Sequence, residues 1–308
     1  NYRASRYADN MRHALKNREK IKAILDEFRT EGLEGDWWPV SVFSSKTNMD
    51  TTTVTGWDGD YGVTYRDDKT GETETVDMRT SGVVKLPWRI DWPMRWSVEG
   101  VDFEPAGKDH HSDGGSWSTA SKICKEIFDI DPPVTFQYDF IRIKGRGGKI
   151  SSSSGEVIDL YDCLEVYTPE LVRFMFAGTR PNTEFAISFD LDVIKIYEDY
   201  DKTERIYYGK ETVEASHAET AAKTLAKEKR IYELSQRDPE GILPFMPLQI
   251  PFRNLCSLLS IKLGNIDAAI EAFPGTAEAR ARGELDASTP AGAENLKRAR
   301  ARAACARK

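Results

Sequence analysis

Residues 142–155 read RIKGRGGKISSSSG, and their types suit the handling of phosphate. Arg142, Lys144, Arg146 and Lys149 place four cations within eight residues, with no carboxylate among them. Gly145, Gly147 and Gly148 admit positive φ and let the backbone come close to a ligand. Amides and serine hydroxyls can then surround polyphosphate oxygens while Lys149 supplies a compact point charge. A flexible, solvated hairpin tip has the same composition, because Gly/Ser-rich runs also make linkers. Composition leaves both readings open.

Two further stretches carry chemically useful types. Residues 85–96, KLPWRIDWPMRW, hold three tryptophans with Arg89, Asp91 and Arg95. Trp92 or Trp96, with Asp–Arg pairing, suits an aromatic core segment, while the face of Trp88 could attract an ammonium group. Residues 103–116, FEPAGKDHHSDGGS, bring Asp109, His110, His111 and Asp113 together. Adjacent histidines point in divergent directions, unlike a pair four apart on one helix, so a metal centre is disfavoured there. His13 and His217 fall in solvated helical contexts.

These segments need elements to hold them. Residues 133–144 alternate through Val134, Phe136, Tyr138 and Phe140, which predicts one strand with an apolar face. The glycine-rich loop would leave the end of that strand, where α/β folds place ligands. A helix is predicted over 6–31, with Ile21, Ile24, Leu25 and Phe28 on one face and Gly32 as its stop. Short β-rich pieces follow over 37–80. A helix after Gly115 carries Trp117, Ala120, Ile123 and Ile127 on one face, and Asp131-Pro132-Pro133 ends it. Thr168-Pro169-Glu170 predicts a capped helix start, with Gly178 at the end. Helices are also predicted over 190–208 and 211–237, and around 253–262, 265–272, 275–283 and 290–306. The proline-rich 238–251 separates the last group. The basic run 297–308, KRARARAACARK, is read as a solvated face.

The order of these motifs resembles the class I lysyl-tRNA synthetases, the form found in archaea and spirochaetes. KISSS (149–153) resembles the family's KMSKS signature, with Ile150 for its methionine and Ser152 for its second lysine. WRIDWPMRW (88–96), FEPAGKDHHSDGGS (103–116) and the loop follow in the family's order. The likeness runs from the first helix to about residue 210. It implies an α/β fold: the second half of a Rossmann-type catalytic domain, with an inserted helix and β-ribbon module before it and an α-helical region after it. The corresponding domains are 1–84, 85–210 and 211–308. The resemblance assigns Lys149, Ser151 and Ser153 to catalysis. Gly107, Asp109, Gly147, Gly148 and Lys149 would bind ATP, with Mg2+ on its phosphates, and Trp88, His110 and Tyr138 would bind lysine. tRNA(Lys) is the implied partner of a monomeric enzyme. In many members the ribbon holds zinc through two cysteine pairs; here Ser44, Thr47, Asp67 and Thr70 stand at those positions, so no zinc is expected. The family's HIGH-type element is absent from this sequence and is expected upstream, making the chain an internal fragment. A glutamyl-type synthetase and a non-catalytic RNA-binding module are the rival readings.

At 308 residues and 34.8 kDa the chain can hold a substantial core. Its net charge of −7 argues against a nucleic-acid binder that uses its whole surface. Mean hydropathy is −0.53, and no apolar run reaches membrane-spanning length. Cys124, Cys163, Cys256 and Cys305 lack metal-type spacing, which favours free thiols in a reducing cytoplasm.

Overall fold

The computed structural model describes residues 1–145, 158–214, 217–238 and 240–308. They form two units, Asn1–Asp139 and Phe140–Lys308.

In the first unit a 3-10 turn (Tyr2–Ala4) leads into α1 (Ala8–Lys16) and α2 (Arg18–Glu27). One helix was expected over 6–31, but Asn17 divides it. The Asn17 side-chain amide donates to the His13 carbonyl at 3.0 Å, the local capture by which asparagine competes with helical bonding. The expected stripe survives, with Ile21, Ile24 and Leu25 buried, and the helix stops at Glu27 ahead of Gly32. Strands β1 (Ser41–Val42), β2 (Thr52–Trp57), β3 (Gly62–Asp67), β4 (Thr73–Asp77) and β5 (Val84–Lys85) follow. β2, β3 and β4 make an antiparallel ribbon, and β1 pairs with β5. Valine and tyrosine from β3 join the α1 and α2 side chains in one apolar core.

Alternation along β3 turns Val63, Tyr65 and Asp67 inward. The inward carboxylate is satisfied locally. Asp67 Oδ1 accepts from the Lys69 and Thr70 amides at 2.9 and 3.2 Å, and Oδ2 accepts from the Thr47 hydroxyl at 3.3 Å. Ser44 Oγ accepts from the Lys46 and Thr47 amides, both at 3.2 Å. Hydrogen bonds, that from Ser44 first, hold the Asp67 carboxyl below its ordinary value. Ser44, Thr47, Asp67 and Thr70 thus tie two turns together through oxygens and amides. Lacking thiolates, and with their oxygens already engaged, they do not fit a tetrahedral zinc site. Apolar packing is therefore not the sole support of the ribbon.

Asp67→Ala is expected to lower the melting temperature of the chain more than Asp67→Asn, which keeps a carbonyl oxygen for the two amides. A carboxyl with a depressed folded pKa contributes stability that is whole above its unfolded value and lost as pH falls through the folded one. Melting curves of wild type and Asp67→Asn should therefore converge in acid. A wild-type melting temperature for Asp67→Ala at neutral pH would contradict this role.

The rest of the unit is α3 (Trp88–Glu99), β6 (Ala106–Gly107), α4 (Lys108–His111), α5 (Ser116–Ile127) and β7 (Gln137–Tyr138). Gly100, at φ 62°, ends α3 in the left-handed conformation that glycine tolerates. Asp91 and Arg95 pair at 2.9 Å along α3. Helix α5 stops before the Asp131-Pro132-Pro133 signal. β6 and β7 are parallel, joined by the helical crossover that parallel strands require.

The second unit contains β8 (Ile141–Ile143), α6 (Leu160–Val166), α7 (Pro169–Gly178) and β9 (Phe185–Ile187), then α8 (Asp192–Tyr207) and α9 (Ala218–Ser235). It ends with α10 (Phe252–Ile261), α11 (Ile266–Ala272), α12 (Pro274–Ala281) and α13 (Pro290–Ala306). β8 and β9 form a second parallel pair. Pro169 occupies the first turn of α7 as predicted, but the Thr168 hydroxyl makes no capping bond.

Two expectations need correction. The single strand over 133–144 is two short strands in separate sheets, each parallel to a different partner. Its apolar side is not a core face: Val134, Phe136 and Tyr138 are 70%, 41% and 43% exposed. The basic run is not wholly solvated either. Arg302 is buried and bound to Asp201, and Arg298 reaches the fully buried Glu204 at 2.8 Å. Helical periodicity turns these two arginines, four residues apart, onto the packed side of α13. All four cysteines are free thiols, and burial pushes the Cys124 thiol up to about 11.

Candidate functional site

The chemistry-bearing residues of the first unit gather at the C-terminal ends of β6 and β7. The parallel register sets Gly107 opposite Tyr138. Gly107 leaves room that a side chain would fill: a Cβ there would lie 2.8 Å from Asp109 Oδ1, 3.5 Å from Tyr138 Cε2 and 3.9 Å from His110 Cδ2. Asp109 and His110 come from α4, which starts directly after Gly107. Lys108 pairs with Asp139 at 2.5 Å, tying the start of α4 to the residue after β7.

Helix α3 supplies an aromatic wall. Trp88 and Trp92 stack at 4.9 Å between centroids, and the His110 ring lies 6.2 and 5.5 Å from them. Trp92 and Trp96 are core residues packed with Ala106, Ala120 and Cys124. Trp88, stacked on Trp92, is 52% exposed. Gly107, Asp109, His110, Tyr138 and Trp88 are therefore brought together. Lys149, Ser151, Ser153, Gly147 and Gly148 lie outside the described residues.

His110 and His111 diverge, as their adjacency requires. His110 Nδ1 contacts Ser116 Oγ at 2.6 Å, whereas His111 Nε2 is 3.3 Å from Thr135 Oγ1 and its ring packs on Trp117. Sequence reasoning missed Ser116, Thr135 and the Lys108–Asp139 pair. Of these only Ser116 carried a signal, a serine at a helix start. It reads as an N-cap, yet Gly115 is the cap residue and the serine hydroxyl serves His110.

The described start of the basic loop belongs to the second unit. Arg142 pairs with Glu184 at 2.6 Å, and Lys144 pairs with Asp190 and Asp192. Two of the loop's four cations thus meet carboxylates from the β9 region, which the absence of acids inside the loop did not reveal.

A mixed α/β architecture with ligand-type residues at the ends of short parallel strands is compatible with a nucleotide-using enzyme. Comparison with known proteins is more specific. Residues 1–238 match the model of the family described as tRNA synthetases class I (K). The chain belongs to that family. It is 56% identical over 266 residues to the lysine–tRNA ligase of Borreliella burgdorferi, covering 86% of this chain and 49% of that protein. Identity to the lysine–tRNA ligase of Treponema pallidum is 50% over 274 residues, covering 88% of this chain and 50% of that protein. For the lysine–tRNA ligase of Pyrococcus furiosus it is 40% over 265 residues, covering 84% and 48%. The chain spans about half the length of these relatives.

Proposed function

We propose that this chain is part of a lysine–tRNA ligase that activates lysine with ATP and transfers it to tRNA(Lys). The observation that carries the reading is the family match over residues 1–238, joined to 56% identity with a lysine–tRNA ligase. In the first step a lysine carboxylate oxygen attacks the α-phosphorus of ATP, the bond to the β-phosphate bridge breaks, and pyrophosphate leaves. In the second, a ribose hydroxyl at the tRNA end attacks the acyl carbon, and AMP leaves.

The protein's part is mainly positioning and charge stabilisation. Gly107 and Asp109 are assigned to the ATP ribose. Lys149, Ser151 and Ser153, with the Gly147 and Gly148 amides, are assigned to the phosphates. Mg2+ bound with ATP would neutralise phosphate charge. Trp88, His110 and Tyr138 are assigned to lysine, the indole face receiving its ammonium. In this reading residues 1–84 are an inserted module, 85–210 the second half of a Rossmann-type domain, and 211–308 a helical region on the tRNA side of a cytoplasmic monomer. The two parallel pairs with helical crossovers support the Rossmann assignment.

The isolated 308-residue chain is expected to give no lysine-dependent ATP–pyrophosphate exchange, because the ATP site is assigned in part to an upstream half. Robust exchange by the purified chain alone would contradict that division.

A further inference from the structure

The contact between His110 and Ser116 has a defined polarity. It joins the short α4 to the first turn of α5 across a tight reversal. Gly114 takes φ 70°, and a Cβ on Gly115 would stand 2.4 Å from the His110 carbonyl oxygen and 2.7 Å from that of Ser112. The reversal closes only with glycine at that position. Ser116 is itself buried, on a helix whose Ala120, Ile123 and Cys124 are fully buried. Its hydroxyl is therefore fixed by the core, and the imidazole comes to it.

Among the described residues the Ser116 hydroxyl has no partner other than His110 Nδ1. Were Nδ1–H the donor, the buried O–H would be left without an acceptor. With O–H as the donor, only serine lone pairs go unused, the cheaper arrangement. Nδ1 is then the acceptor and the ring proton sits on Nε2. The Cδ2–Nε2 edge is the one turned toward Gly107, Cδ2 lying 3.9 Å from the position of a Cβ there.

We propose that Ser116 is a positioning residue whose hydroxyl donates to His110 Nδ1, so that Nε2–H is presented as a donor to the substrate carboxylate at the end of β6. The inference rests on the assignment of this region to lysine. An Nε2 that carries its proton cannot accept from an ammonium, so the cationic end of lysine falls to the exposed indole of Trp88.

The test is 15N NMR of the histidine-labelled 308-residue chain at pH 8, with His110 assigned by the His110→Gln variant. The expected result is the Nε2–H tautomer in wild type. Ser116→Ala should move the Nδ1 resonance to that of an unbonded ring nitrogen, and Ser116→Thr, which keeps the hydroxyl, should restore it. L-lysine should shift the Nε2 signal, whereas L-lysinol, which has no carboxylate, should not. An Nδ1–H tautomer, or an Nδ1 resonance unchanged by Ser116→Ala, would overturn the proposal whatever lysine does. Equal responses to lysine and lysinol would overturn the carboxylate contact. With the tautomer as expected, silence toward both ligands would instead overturn the assignment of this surface to lysine.

Discussion

Lys149→Ala, in a full-length protein, is expected to slow lysyl-adenylate formation on the order of 10²–10³-fold, the usual loss for one preorganised charge donor. ATP and lysine affinities should barely change, because the ammonium is assigned to charge that grows only in the transition state. Lys144→Ala should cost much less: Lys144 is already paired with Asp190 and Asp192. Arg142, held by Glu184, is engaged in the same way. Lys149→Arg should recover part of the rate, since a planar fork replaces a compact point charge. Single-turnover adenylate formation, with ATP affinity measured in parallel, checks the series. A Lys149→Ala rate within about twofold of wild type would remove this residue from catalysis.

The largest effect on stability is expected between α8 and α13. Arg302 donates through both terminal nitrogens to Asp201, at 2.6 and 2.8 Å, and its guanidinium lies 5.0 Å from the Tyr197 ring centroid. Both side chains are buried. Asp201→Ala removes both carboxylate acceptors of the buried guanidinium and is expected to cost about 3–5 kcal/mol. Burial raises the Asp201 carboxyl above its ordinary value, against the pull of Arg302. A raised folded pKa favours the protonated folded state, so the carboxyl's contribution diminishes as pH rises through that value. Taking both charges out of water offsets much of their mutual attraction. Replacing both partners, Asp201→Leu with Arg302→Met, is expected to be neutral or to stabilise by roughly 1–4 kcal/mol. Urea denaturation of both variants tests this, and a single-variant loss below about 1 kcal/mol would contradict it.

Periodicity made the helices legible where apolar spacing was clean. The predicted 290–306 helix is α13, and 190–208 differs from α8 by two residues at one end and one at the other. It misjudged the strand over 133–144 because alternation records only which side chains share a face, not which strand lies alongside. Asp139, in the gap between β7 and β8, is bound to Lys108, a partner 31 positions away that local pattern cannot supply. The run 297–308 misled for a related reason. Counting cations cannot distinguish Arg300, partnered with Asp267 at the surface, from Arg302, partnered with Asp201 inside. In the candidate site, Trp88, Gly107 and His110 stood out by residue type. The order that sets Trp92 and Trp96 into the core and leaves Trp88 exposed came only from how α3 packs. Ser116 was hidden because its hydroxyl serves a side chain rather than the helix it begins.

Amino-acid-dependent ATP–pyrophosphate exchange, measured on a full-length protein with each amino acid supplied separately, is the most direct test. Exchange that requires L-lysine, followed by transfer of the lysyl group to tRNA(Lys), is the predicted result. Exchange driven by L-glutamate, or tRNA binding with no exchange for any amino acid, would contradict it.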